Sequence, residues 1–146
     1  RTAEGEYALG YQPTGDEFTP GFFMVVISNA TKTAVNGITF SYEVVCLNNA
    51  DRSSRLDFEI SGDGRSFSRM EGMAFVSPEA QDKPAVWTRS ERSFRVRFAR
   101  PVDGGQCVWL RWYGDDVGGS SSRDEYGIDN VRIILHCVQG TVITIK

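Results

Sequence analysis

Apolar and polar residues alternate with period two through most of this chain. Ile38, Phe40, Tyr42, Val44 and Cys46 fall on one side, with Thr39, Ser41 and Glu43 on the other. That is the signature of a strand with one buried and one solvated face. Leu56, Phe58 and Ile60 repeat it against Arg55, Asp57 and Glu59, and Phe94, Val96 and Phe98 against Ser93, Arg95 and Arg97. Val108, Leu110 and Trp112 are set against Cys107, Trp109, Arg111 and Tyr113. Glu6–Tyr11, Tyr126–His136 and Thr141–Ile145 predict further strands. Phe22–Ser28, whose apolar run is unbroken to Ile27, is expected to be a strand covered on both faces. Asp63-Gly64 marks a tight turn. Residues 68–90, with Pro78 and Pro84, read as a long connection.

Helical periodicity never lasts beyond about a turn. Short strands at intervals of roughly 8–12 residues, joined by long crossings, predict an all-β fold. The architecture expected is a two-sheet antiparallel β-sandwich of jelly-roll or Greek-key type, a single domain over residues 1–146.

Composition narrows the partners. The 146 residues suffice for a real hydrophobic core. A net charge of -3 lacks the clustered basic surplus of a nucleic-acid footprint. No apolar run approaches the roughly 20 residues that cross a bilayer, so no membrane insertion is expected. The chain starts at Arg1 without an initiator Met or leader, as expected of a mature or excised segment. Of the three cysteines, Cys46 is in phase with the core positions, whereas Cys107 and Cys137 sit on late strands that would allow a disulfide. Asn29-Ala-Thr31 is a glycosylation sequon that reads more simply as a loop cap.

Two candidate sites emerge. If the middle strands share a sheet, Glu43, Asp57, Glu59, Arg95, Arg97, Trp109, Arg111 and Tyr113 project from one face. Exposed rings could then stack on sugars while arginines and carboxylates take the hydroxyls. The bland reading of the same residues is cross-strand charge pairing on a wet sheet. The second site is the Gly/Ser loop near the end of the chain. There Asp115, Asp116, Asp124 and Asp129, with Glu125, offer hard oxygen ligands suited to a calcium ion. Alternatively, their carboxylates pin the loop's free amides. Asp129 shares the phase of Val131, Ile133 and Leu135, which would turn it inward.

Catalytic constellations are sparse. His136 and Cys137 are strand neighbours and face opposite ways. One histidine and no Gly-x-Ser-x-Gly make a serine triad improbable. Asp57 and Glu59 lie roughly 7 Å apart, within the range of an inverting glycosidase pair, but their arginine neighbours suit neither as a proton donor. No enzyme is expected.

Tyr7-Ala-Leu-Gly10, Ile27-Ser-Asn-Ala-Thr31, Ile38-Thr-Phe-Ser-Tyr-Glu43, Leu56-Asp-Phe-Glu-Ile-Ser61 with Asp63-Gly64, Val108-Trp-Leu-Arg-Trp112 and Asp124-Glu-Tyr-Gly-Ile-Asp-Asn-Val131 follow in fixed order. Together they resemble a jelly-roll accessory module of large secreted bacterial multimodular proteins. The chain departs from that pattern in the Val-Val-Cys after Glu43 and in Asn130 beside Asp129. The resemblance implies a noncatalytic carbohydrate-binding role for a polysaccharide, a secreted or cell-surface location, and covalently linked neighbouring domains. The rival expectation is a structural or adhesion module whose face packs on an adjacent domain.

Overall fold

The computed structural model describes residues 7–137 and 142–145. Those residues form an antiparallel two-sheet β-sandwich without helices. In chain order the strands are β1 (Leu9–Tyr11), β2 (Gly21–Ser28), β3 (Val35–Leu47), β4 (Arg52–Ser61), β5 (Ser68–Arg69), β6 (Phe75–Val76), β7 (Trp87–Val102), β8 (Cys107–Gly119), β9 (Glu125–Cys137) and β10 (Val142–Ile145). The expected first and last strands reach one residue range further, to Glu6 and Thr141, which lie outside the described residues.

One sheet runs β1–β9–β3–β7, with β10 also on β9; the other runs β2–β8–β4–β5, with β6 also on β4. From β2 to β4 and again from β7 to β9, each strand enters the sheet opposite its predecessor. Crossings between the sheets therefore replace hairpins at these points, although the crossings from β3 to β4 (48–51) and from β7 to β8 (103–106) are short. The polar–apolar alternation is honoured in the central strands. Ile38, Phe40, Tyr42, Leu56, Phe58, Leu110 and Trp112 are all buried between the sheets. Phe40 stacks on Phe58 with ring centroids 4.6 Å apart, and Trp112 packs edge-on to Tyr42 at 5.4 Å. Such contacts lock the two layers face to face.

Two expectations about packing are corrected, for β2 and for Asp129, and the disulfide left open between Cys107 and Cys137 is not formed. Strand β2 is not covered on both faces: among the described residues it is an edge strand paired only with β8, and Phe22, Met24, Val25 and Val26 are exposed. Cys107 and Cys137 are both free thiols, on strands of opposite sheets. Asp129 does not turn inward. An irregularity between Ser41 and Glu43 in the β3–β9 pairing, with Asn130 at φ 51°, inserts an extra residue and reverses the phase of β9. Ile133 and Leu135 point in on one side of this bulge, Ile128 and Tyr126 on the other.

Candidate functional site

The outer face of the β2–β4 sheet is built from three cross-strand rows. Phe22, Tyr113 and Asp57 form the first, Met24, Arg111 and Glu59 the second, and Val26, Trp109 and Ser61 the third. Period two sends Val108, Leu110 and Trp112 into the core and leaves Trp109, Arg111 and Tyr113 outside. Five predicted ligand residues thus share one face: Asp57, Glu59, Trp109, Arg111 and Tyr113.

Ion pairs neutralise the middle of this face. Asp57 is 0 % exposed, covered by Arg55 at 2.9 Å and Arg69 at 2.7 Å. Glu59 accepts from Arg111 Nε at 2.7 Å and also contacts its terminal nitrogen. The Arg111 guanidinium lies 3.8 Å from the Phe67 ring centroid and 5.1 Å from that of Phe22. Asp57 and Glu59 therefore serve as anchors for arginines, and Asp57 is closed to any ligand.

The β4–β5 connection folds back over this face. Ser61 Oγ and the Asp63 carboxylate build its turn: Asp63 Oδ1 accepts from the amides of Arg65 and Ser66, each at 2.8 Å, and from Ser61 Oγ at 2.9 Å. The amides of Ser66 and Arg65 hold the Asp63 carboxyl down to about 2. Gly64, at φ 70°, lies directly on the Trp109 indole: a Cβ there would sit 2.8 Å from Cε2. Trp109 is accordingly half-buried rather than freely projecting. Nothing local in the sequence announces that Gly64 and Phe67 cover Trp109 and Arg111, since the contacts span 45 and 44 residues.

Beside this turn, Trp109 lines an open cleft of about 1100 Å³ between the two sheets. Ile60, Met70, Val96 and Phe98 give it an apolar wall, and Ser61, Ser66, Arg97, Arg100 and Gln106 a polar one. Arg97 comes from the opposite sheet, so the cleft unites it with Trp109.

The single eight-residue face foreseen from the sequence is otherwise divided. Glu43 lies on β3 and Arg95 and Arg97 on β7, in the sheet opposite Asp57 and Trp109. There Glu43 and Asp129 share Arg89, at 2.6 and 2.9 Å. The strands do not share a sheet because the chain crosses between layers from β3 to β4 and from β7 to β8.

Nor does the acidic loop converge on a metal. Asp116 sits between Arg52 at 2.9 Å and Arg123 at 2.6 Å; burial opposes its ionisation, but the arginines prevail and hold its carboxyl below the usual range. Asp115 accepts from the Asp116 amide at 2.9 Å. Asp124 is fully buried and accepts from the Ala50 amide at 3.1 Å, with Tyr126 and Ser77 beside it. Burial raises its pKa against those hydrogen bonds. Asp129 faces out on Arg89. Among the described residues no three His, Cys, Asp or Glu side chains gather as a cation would require. These carboxylates do not fit a calcium site.

Asn29, the sequon residue, is a buried cap. Its Nδ2 donates to Thr33 O at 3.0 Å and Val102 O at 2.9 Å, while Oδ1 accepts from Thr31 N and Oγ1. His136 faces outward, hydrogen-bonded to Thr39 at 2.8 Å, while Cys137 is buried.

No known family profile matches the sequence, and no curated protein matches it. Among solved structures, a carbohydrate-binding module described as specific for non-crystalline cellulose, CBM28, superposes with a TM-score of 0.50. The two are 11% identical, and the match covers 90% of this chain and 76% of that one. The likeness is one of fold. It agrees with the two-sheet jelly-roll fold implied by the resemblance read from the sequence blocks.

Proposed function

We propose that this module is a noncatalytic carbohydrate-binding domain that takes a polysaccharide chain in the cleft beside Trp109. The observation that carries the reading is the cleft itself. An open groove of about 1100 Å³ combines an aromatic ring, an apolar wall and a rim of serine, glutamine and arginine donors. Sugars need that combination, because their C–H faces pack on apolar surface while their hydroxyls require polar partners. A groove between sheets suits a single disordered chain better than a flat crystalline surface. The CBM28 likeness in fold supports the same class of ligand. A secreted or cell-surface setting with linked neighbouring domains follows from this reading.

The test is native affinity electrophoresis through soluble polysaccharides, comparing the wild type with Trp109→Ala. Retardation by at least one polymer, abolished in a folded Trp109→Ala variant, is expected.

A second reading is favoured by one observation. Phe22, Met24 and Val26 form an exposed apolar row along the edge strand, 51, 41 and 49 % accessible. That row suits packing against an adjacent domain. Absence of retardation on every polymer, with the protein folded, selects this structural or adhesion role.

A further inference from the structure

On the outer face of the other sheet, cationic side chains gather without counter-charge. Arg97, Gly37 and His136 form one row across β7, β3 and β9; Arg95, Thr39 and Ile134 form the next; Ser93, Ser41 and Arg132 the third. No Asp or Glu occupies any of these nine positions. Among the described residues, neither an ion pair nor a side-chain hydrogen bond engages Arg95, Arg97 or Arg132. The adjoining part of the same face differs: there Arg89 is taken by Glu43 and Asp129.

A recess of about 240 Å³ opens in the first two rows, between Arg95, Arg97, Asn36 and His136. Gly37 also lines it, with its backbone packed so closely on β7 that a side chain there would collide with the Val96 carbonyl. His136 is fixed at its edge by the hydrogen bond to Thr39. Like charges placed close together on neighbouring strands cost stability unless something neutralises them. Guanidinium groups present planar forks of donors matched to oxyanions.

We infer that this recess is a second, separate binding site, which takes the carboxylate or sulfate groups of an acidic polysaccharide. The net charge of -3 opposes a long, densely charged nucleic acid. Of the outward neighbours only His136 carries a ring, and its hydrogen bond to Thr39 holds it at the recess edge, so the face lacks a row of rings on which successive unpaired bases could stack. Each sugar residue of a polyuronate carries a single carboxylate, so one group at a time can enter a small recess. The recess shares Arg97 with the polar wall of the cleft, but Arg95 and Arg132 do not line the cleft and Trp109 does not line the recess, so variants at those positions tell the two sites apart.

The experiment is titration at low ionic strength with polygalacturonate, dextran sulfate and neutral dextran, using wild type, Arg95→Ser/Arg132→Ser and Trp109→Ala. Both arginines are exposed, so the double variant keeps its fold. Wild type and Trp109→Ala should bind polygalacturonate or dextran sulfate and not neutral dextran, while the double variant binds about tenfold or more weakly. Equal binding by the double variant, or no wild-type binding to either acidic polymer, overturns the site. A single-stranded oligonucleotide held as tightly through the same arginines, or inorganic sulfate competing mole for mole with the polymer charges, overturns the polysaccharide assignment. Failure at Trp109 alone touches only the cleft.

Discussion

Gly64 lies against the indole of Trp109, so close that a Cβ on Gly64 would fall 2.8 Å from Cε2 of the ring. This contact fixes the one tryptophan that lines the cleft. Gly64→Ala should therefore do two things. It forces a side chain into left-handed backbone at φ 70°, costing about 1–2 kcal/mol, and it pushes the indole aside. Thermal melting should show the first effect and polysaccharide affinity the second. Unchanged affinity in a Gly64→Ala variant would mean that the indole's position is immaterial to binding.

Asp57 is buried beneath Arg55 and Arg69, with both arginines partly accessible to solvent. Asp57→Ala leaves two guanidinia without their shared anion. Solvent reaches those arginines, so the loss falls short of that for a fully buried pair, and about 2 kcal/mol of destabilisation is expected by chemical denaturation. If Asp57→Ala melted like the wild type, the ion pairs would contribute nothing.

Asp124 sets a pH dependence of definite sign. Burial raises its folded pKa above that of the unfolded chain. Its contribution is thus complete below the unfolded carboxylate pKa and declines as pH rises through the folded value. Asp63 and Asp116 run the opposite way: their lowered pKa values stabilise the fold above the unfolded value and lose that effect in acid. Relative to Asp124→Asn, the wild type should melt higher near pH 4 and lose that margin by pH 7. A margin constant with pH would contradict the burial of an unpaired carboxyl.

The acidic loop predicts indifference to calcium. Its carboxylates are engaged by Arg52, Arg123, Arg89 and backbone amides. Neither added calcium nor EDTA should move the melting temperature, and a rise of several degrees with calcium would show that these groups rearrange around an ion.

Much of this architecture was legible from residue pattern. Period two correctly divided Val108, Leu110 and Trp112 from Trp109, Arg111 and Tyr113, because inward and outward are decided by immediate neighbours. Which strands share a sheet is decided by pairing across the chain, so Arg95 could not be separated from Asp57 by local reading. Arg97 belongs to one sheet and Trp109 to the other, yet the cleft rejoins them. Asp129 was misplaced because a single inserted residue at the Asn130 bulge reverses everything beyond it. The cover laid by Gly64 and Phe67 left no periodic trace at all.

The most direct test of the central claim is chemical-shift mapping by NMR during titration with a bound polysaccharide. Binding in the cleft predicts that the Trp109 indole signal and the amides of Gly62, Ser66 and Gln106 shift together and saturate with the polymer. Shifts confined to Phe22, Met24 and Val26 on the edge strand, with the Trp109 indole unmoved, would contradict it.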